Sequence, residues 1–245
     1  MGLKIAVAQI SSESGAIGQN VERHLAAIEV AAQFNVSYLT FPELSLTGYE
    51  PELSLNLAMS VHDRQLQSLQ VAAKKHGIFV VAGAPVATDT LPEIGSFIFA
   101  PDGSIRTYTK MHLHPGEEKY FSVGNRYELT PVRKHLIANA ICADTNVADH
   151  VAGCVEKGAK IYISGAMITG NGYPKDTEIL RNYARNYGIV VAMANQNSRS
   201  SSGLPCGKSA IWSRSGLLVS ANESQSAIVV AESSSAGWSG GVIEI

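Results

Sequence analysis

Eleven short apolar, β-branched runs share this chain with only four helical segments, and that ratio constrains the fold more than any other feature. Strands read at residues 4–9, 37–41, 78–84, 96–100, 105–109, 136–141, 161–164, 189–194, 209–212, 216–220 and 227–232. Helices read at 21–34, 64–76, 149–157 and 177–187, with Asn20 and Asp63 as N-caps and Gly77, Gly158 and Gly188 as stops. A single parallel sheet needs a crossover for every strand pair, so four helices are too few. Pro101-Asp102-Gly103-Ser104 and Arg214-Ser215-Gly216 read as hairpin turns, which supply antiparallel pairs instead. The expectation is an α/β fold of four layers, an α-β-β-α sandwich of two mixed sheets with helices on the outer faces only. No repeat or shift of composition divides the chain, so residues 1–245 read as one domain. The Ser-rich stretches 198–203 and 233–241 read as loops.

Charge is scarce. Asp, Glu, Lys and Arg make up 16% of the residues, against roughly a quarter in an average soluble domain. A chain short of charge is expected to cover part of its surface with a second subunit, giving a homodimer or a larger homo-oligomer. The formal net charge of −2 and the scattered Lys and Arg offer no field for nucleic acid. No apolar run reaches the roughly 18 residues of a membrane helix. The chain enters its first strand at Lys4 without a cationic leader. Three cysteines cannot all pair, so the thiols are expected to be reduced and the protein cytoplasmic.

Three chemically distinct side chains sit at or just past strand ends, where α/β enzymes place their chemistry. Glu43 follows the run that closes with Phe41-Pro42, Lys110 follows Thr107-Tyr108-Thr109, and Cys142 follows Ala140-Ile141. A buried free cysteine is usually a small hydrophobe. Cys142, however, ends its apolar run and is followed by polar residues, whereas Cys154 falls inside a helix and Cys206 in a Gly/Pro loop. A free thiol is only a few per cent thiolate at neutral pH and needs a base or a cation beside it. Glu43 and Lys110 meet those needs if the fold brings them to Cys142. Two other patterns carry less. Gly203-Leu204-Pro205-Cys206-Gly207-Lys208-Ser209 imitates a P-loop with the wrong glycine spacing and leads into a strand. His112 and His114 lack a third ligand at metal-site spacing.

Taken together, these segments resemble the nitrilase superfamily of carbon–nitrogen hydrolases. Phe41-Pro42-Glu43-Leu44-Ser45-Leu46-Thr47-Gly48-Tyr49 is similar to its glutamate block, Tyr108-Thr109-Lys110-Met111-His112-Leu113 to its lysine block and Ala140-Ile141-Cys142-Ala143-Asp144 to its cysteine block. The resemblance implies a Glu43, Lys110, Cys142 triad and a thioester mechanism that uses no metal and no cofactor. It implies stacked dimers and a small-molecule amide substrate. Glu117 matches a second family glutamate, in a register that its neighbour Glu118 leaves open. The backbone of Ala143 would help to hold an oxyanion, and Tyr49 and Met167 would contact substrate. The chain departs from the family where Ala143 and Met167 replace common aromatic residues, and where Thr145-Asn146-Val147-Ala148-Asp149-His150 lacks a basic residue and a proline. A pocket trimmed in this way either takes a bulkier substrate or is refilled by another loop. The missing basic residue weakens a carbamoylase reading. An amidase is the leading expectation, followed by nitrile or N-carbamoyl hydrolysis and by a silent or ammonia-delivering partner subunit.

Overall fold

The computed structural model describes residues 2–200 and 203–245. The first half runs through β1 (Lys4–Gln9), α1 (Ile17–Gln33), β2 (Tyr38–Thr40), α2 (Ser54–Leu57), α3 (Gln67–His76), β3 (Phe79–Val86), β4 (Glu93–Phe99) and β5 (Ile105–Thr109). The second continues with β6 (Leu129–Val132), β7 (His135–Ile141), α4 (Ala148–Glu156), β8 (Ile161–Ala166), α5 (Tyr173–Tyr187), β9 (Val190–Asn195), β10 (Ala210–Ser213), β11 (Gly216–Ser220), β12 (Ala227–Ser234) and β13 (Gly237–Glu244).

Seven strands in the order β13-β12-β1-β2-β3-β4-β5 form one sheet, and six in the order β11-β10-β9-β8-β7-β6 form the other. Each sheet is mixed. β1, β2 and β3 are parallel neighbours, as are β7, β8 and β9, and hairpins extend both sets outward. Strand periodicity then sorts the apolar residues into three layers. In β1, Ile5 and Val7 point into the core between the sheets, where Val81, Ile98, Ile137, Ile163 and Ile211 meet them. Ala6 and Ala8 point the other way and pack, with Leu39, Val80 and Phe97, against Ala27, Ile28 and Ala31 of α1 and Leu69 and Ala73 of α3. On the far side Tyr162, Val191 and Met193 pack against Val151 and Cys154 of α4 and Leu180 and Ala184 of α5. The result is the four-layer α-β-β-α sandwich that the ratio of strands to helices required.

Four local readings need correction. Asn20 does not cap α1, which starts at Ile17; its buried side chain donates to the carbonyls of Glu13 and Leu46 at 2.8 and 3.0 Å. α5 starts at Tyr173 instead of residue 177, with Pro174 in its first turn, where a missing N–H costs nothing. β6 was not anticipated, because Pro131 sits inside it; as an edge strand it tolerates the missing donor. The stretch 233–241 is not a loop. It forms the end of β12, a turn at residues 235–236 and most of β13, paired from Ser234↔Gly237 through Val230↔Gly241. The other Ser-rich stretch, 198–203, includes Ser201 and Ser202, which lie outside the described residues. Among those residues no helix is long and apolar enough to cross a membrane.

Candidate active site

The ends of β2, β5, β7 and β8 converge on one cavity of about 580 Å³. Past β2 the chain turns sharply, and Leu44 adopts a left-handed φ of 50°. That turn buries the Glu43 side chain, and Gln196, just past β9, donates from Nε2 to the Glu43 carbonyl at 2.7 Å. Beyond β5, the Lys110 side chain is completely buried. Its ammonium donates to Glu43 Oε1 at 2.8 Å and to both oxygens of Glu117 at 2.8 and 2.9 Å. Glu117, and not the exposed Glu118, is therefore the second glutamate of the cluster. It also accepts the Tyr49 hydroxyl at 2.5 Å and the backbone N–H of His114 at 2.7 Å.

Cys142 directly follows β7 and opens a short 3-10 turn at φ 42°, a conformation that an L-residue holds only where its surroundings impose it. Its N–H donates to Ser164 Oγ at 3.2 Å and its carbonyl accepts the Thr145 hydroxyl at 2.7 Å, which fixes the turn. Cys142, Glu43, Glu117, Tyr49 and Met167 all line the cavity. Ala143, next to Cys142 in the chain, is buried. Of the remaining expectations, Cys154 is buried in α4 and Cys206 is partly exposed. His112 and His114 part company. His112 Nδ1 lies 3.0 Å from Asp144, and His114 Nδ1 lies 3.2 Å from the Pro115 carbonyl. Gly203 to Ser209 leads into β10, and Lys208 pairs with Glu223 at 2.6 Å.

Burial sets the proton affinities. It pushes the Glu43 carboxyl up to about 7, against the pull of the Lys110 ammonium. Burial and the neighbouring Glu43 charge push the Cys142 thiol well above its usual range, and Lys110 only partly offsets them. Burial on its own would depress Lys110, but Glu43, Cys142 and Glu117 outweigh it and hold the ammonium charged. Burial and the nearby carboxylates keep the Tyr49 phenol protonated. Glu43 Oε2 is buried without a hydrogen-bond partner, although the thiol is near enough to favour the charged carboxylate. The resting cluster thus holds a cation between two carboxylates beside a protonated thiol, and one carboxylate retains a free oxygen able to take a proton.

Residues 4–239 match the family model described as carbon-nitrogen hydrolase. The chain belongs to that family. An amidase from Nesterenkonia sp. AN1, itself from the nitrilase superfamily, superposes on this carbon-nitrogen hydrolase with a TM-score of 0.87, covering 96% of this chain and 94% of that one at 21% identity. A mutant of the same amidase, carrying the acetamide moiety of fluoroacetamide on its active-site cysteine, superposes at a TM-score of 0.86 and 19% identity, covering 94% and 90% of the two chains. Among curated proteins, an (R)-stereoselective amidase from a Pseudomonas species is 28% identical over 66% of this chain and 59% of its own length. A glutamine-dependent NAD(+) synthetase from Xylella fastidiosa is 30% identical over 79% of this chain and 37% of its own length. The carbon-nitrogen hydrolase chain therefore spans less than two thirds of these curated relatives.

Sequence reasoning named every acidic and basic member of the cluster. It missed the residues that hold them. Gln196 stands 153 residues from Glu43, and no pattern in the chain connects the two. Ser164, which accepts from the cysteine's N–H, lies 22 residues further on, on the next strand of the sheet.

Proposed function

We propose that the protein is an amidase that hydrolyses a small linear amide through a thioester on Cys142. One observation carries the reading: Glu43 and Cys142 line a single cavity, and Lys110 is bonded to Glu43 at 2.8 Å behind it. Glu43, with an affinity near 7, accepts the thiol proton as sulfur attacks the carbonyl carbon. A preformed thiolate is not needed, because the base waits beside the thiol. Lys110 and the Ala143 N–H stabilise the oxyanion, one well-placed donor contributing about 3 kcal/mol. The C–N bond breaks as Glu43 returns its proton to nitrogen, and ammonia or an amine leaves. Glu43 then takes a proton from water as its oxygen attacks the thioester carbon. The C–S bond breaks, Glu43 returns that proton to the departing Cys142 sulfur, and the carboxylic acid leaves. Glu117 holds Lys110, while Tyr49 and Met167 shape the substrate side of the cavity.

The family, the fold shared with the Nesterenkonia amidase and the match to the Pseudomonas amidase support an amide as substrate. A second reading, an ammonia-delivering subunit acting on glutamine, draws on the match to the glutamine-dependent synthetase. The amidase reading places the activity in one domain of a cytoplasmic homodimer, free of metal and cofactor, and the second reading makes the chain a partner subunit. Ammonia release from a panel of aliphatic amides, glutamine, carbamoyl compounds and nitriles separates them. Aliphatic amides should lead, and Cys142→Ala should abolish release while the protein stays folded. Undiminished hydrolysis by Cys142→Ala would falsify the mechanism.

A further inference from the structure

Asp144, two residues beyond Cys142, is completely buried and collects donors both from its own turn and from a distant stretch, residues 108–112. Its Oδ1 accepts the backbone N–H groups of Met111 and His112 at 3.0 and 2.9 Å, with His112 Nδ1 at 3.0 Å. Its Oδ2 accepts the N–H of Ile141 at 3.0 Å and the Tyr108 hydroxyl at 2.6 Å. Tyr108, Met111 and His112 bracket Lys110, at the end of β5 in one sheet. Ile141 precedes Cys142, at the end of β7 in the other.

We propose that Asp144 is a positioning residue that sets the separation between the Lys110 ammonium and the Cys142 thiol by bolting the two sheets together at their catalytic ends. The proposal rests on the reading of Cys142 as nucleophile and Lys110 as its electrostatic partner. The physical need is plain. Elsewhere the sheets face each other largely through apolar side chains, whose attraction is non-directional and does not fix a distance to a few tenths of an ångström. Hydrogen bonds to a buried carboxylate are short and directional, and leaving any of its donors unmet in a dry site is costly. The network extends outward: Tyr108 Oη lies 2.8 Å from His150 Nε2, and His150 Nδ1 lies 2.9 Å from the Tyr162 hydroxyl, so α4 and β8 are tied to the same point.

Asp144→Asn is the sharp test. An amide keeps one acceptor oxygen but puts an NH₂ where the other stood, so either the Met111 and His112 amides or the Ile141 amide then faces a donor. We expect kcat to fall about 100-fold, the scale of a small misplacement of catalytic groups, with KM little changed. The pH midpoint for alkylation of Cys142 by iodoacetamide, followed by mass spectrometry, should move upward, because the thiol loses part of the pull of Lys110. The other titratable groups facing this network are Tyr108, His112, Tyr127, Asp149, His150, Cys154 and Tyr162. The Asp144 carboxylate raises the proton affinities of Tyr108, His112, His150, Cys154 and Tyr162, so Asp144→Asn should lower theirs. That is opposite in sign to the upward shift expected at Cys142, which mass spectrometry reads separately from Cys154. Tyr108→Phe removes one donor and keeps the carboxylate; it should shift both readouts the same way by less, and it decides the matter if Asp144→Asn does not fold. Variants that lose thermal stability alone, with kcat and the alkylation midpoint as in the parent, would reduce Asp144 to a structural brace. The alkylation profile uses no substrate, so it reads Asp144 even where no amide proves to be turned over.

Discussion

Glu43 is held against its own chemistry. A carboxylate taken out of water loses hydration that one ammonium only partly replaces, and here burial wins, leaving the group at about 7 instead of 4.5. The consequence for the proposed reaction has a definite sign. The base works only when unprotonated, so kcat/KM should be flat above pH 7 and fall about tenfold per unit below it. Glu43→Gln should remove that limb and lower the rate by roughly 10²–10⁴-fold, the usual scale of general-base catalysis. Activity that persists undiminished to pH 5 would assign the base to another group. At this scale the chain was legible wherever chemistry and position coincide, because an acid, an ammonium and a thiol at three strand ends are each unusual. The register of Glu117 against Glu118 was not legible. Two adjacent identical residues differ only in which way the turn points them, and Lys110 and Tyr49 choose the first.

The strands place the candidate glutamate through close approaches that only glycine permits. A Cβ on Gly165 of β8 would lie 2.7 Å from the Phe41 carbonyl and 3.1 Å from the Glu43 N–H. On Gly83 of β3 it would meet the Leu44 N–H at 2.4 Å. The glutamate turn is thus seated directly on two strands, one from each sheet. Gly165→Ala should push that turn outward and cost about 100-fold in kcat, along with thermal stability. Gly170→Ala, where a Cβ meets nothing within 4 Å, should change neither. A Gly165→Ala enzyme with the parent's kcat would show that the contact is only steric packing. Strands and helices with steady apolar periods were read within a few residues, since both faces of β1 or β8 are buried and the pattern is strong. β13 escaped because Gly237, Gly240 and Gly241 interrupt it, and most of its residues are exposed along the edge of the sheet. Its strand character comes from pairing with β12, a partner that local composition does not announce.

For the whole molecule, the sandwich leaves Leu55, Val71, Leu217 and Val242 more than a third exposed on a chain with 16% charged residues. Self-association is the expected remedy. Sedimentation or light scattering at micromolar concentration should give twice the chain mass, and a monomer would refute the homodimer. The amino-acid sequence alone determined the four layers, because the number of helices limits the number of crossovers and the hairpin turns supply the rest. It also singled out Glu43, Lys110 and Cys142 as candidates, since residue type and position at a strand end are local properties. Only the tertiary structure decided that Lys110 bonds both glutamates, that Asp144 ties the segments around Lys110 and Cys142, and that Gly83 and Gly165 seat the glutamate turn. Most of those contacts join residues from opposite sheets or from loops far apart in the chain. Their distances depend on how two twisted sheets stack, a property of the packed whole that no single stretch of chain contains.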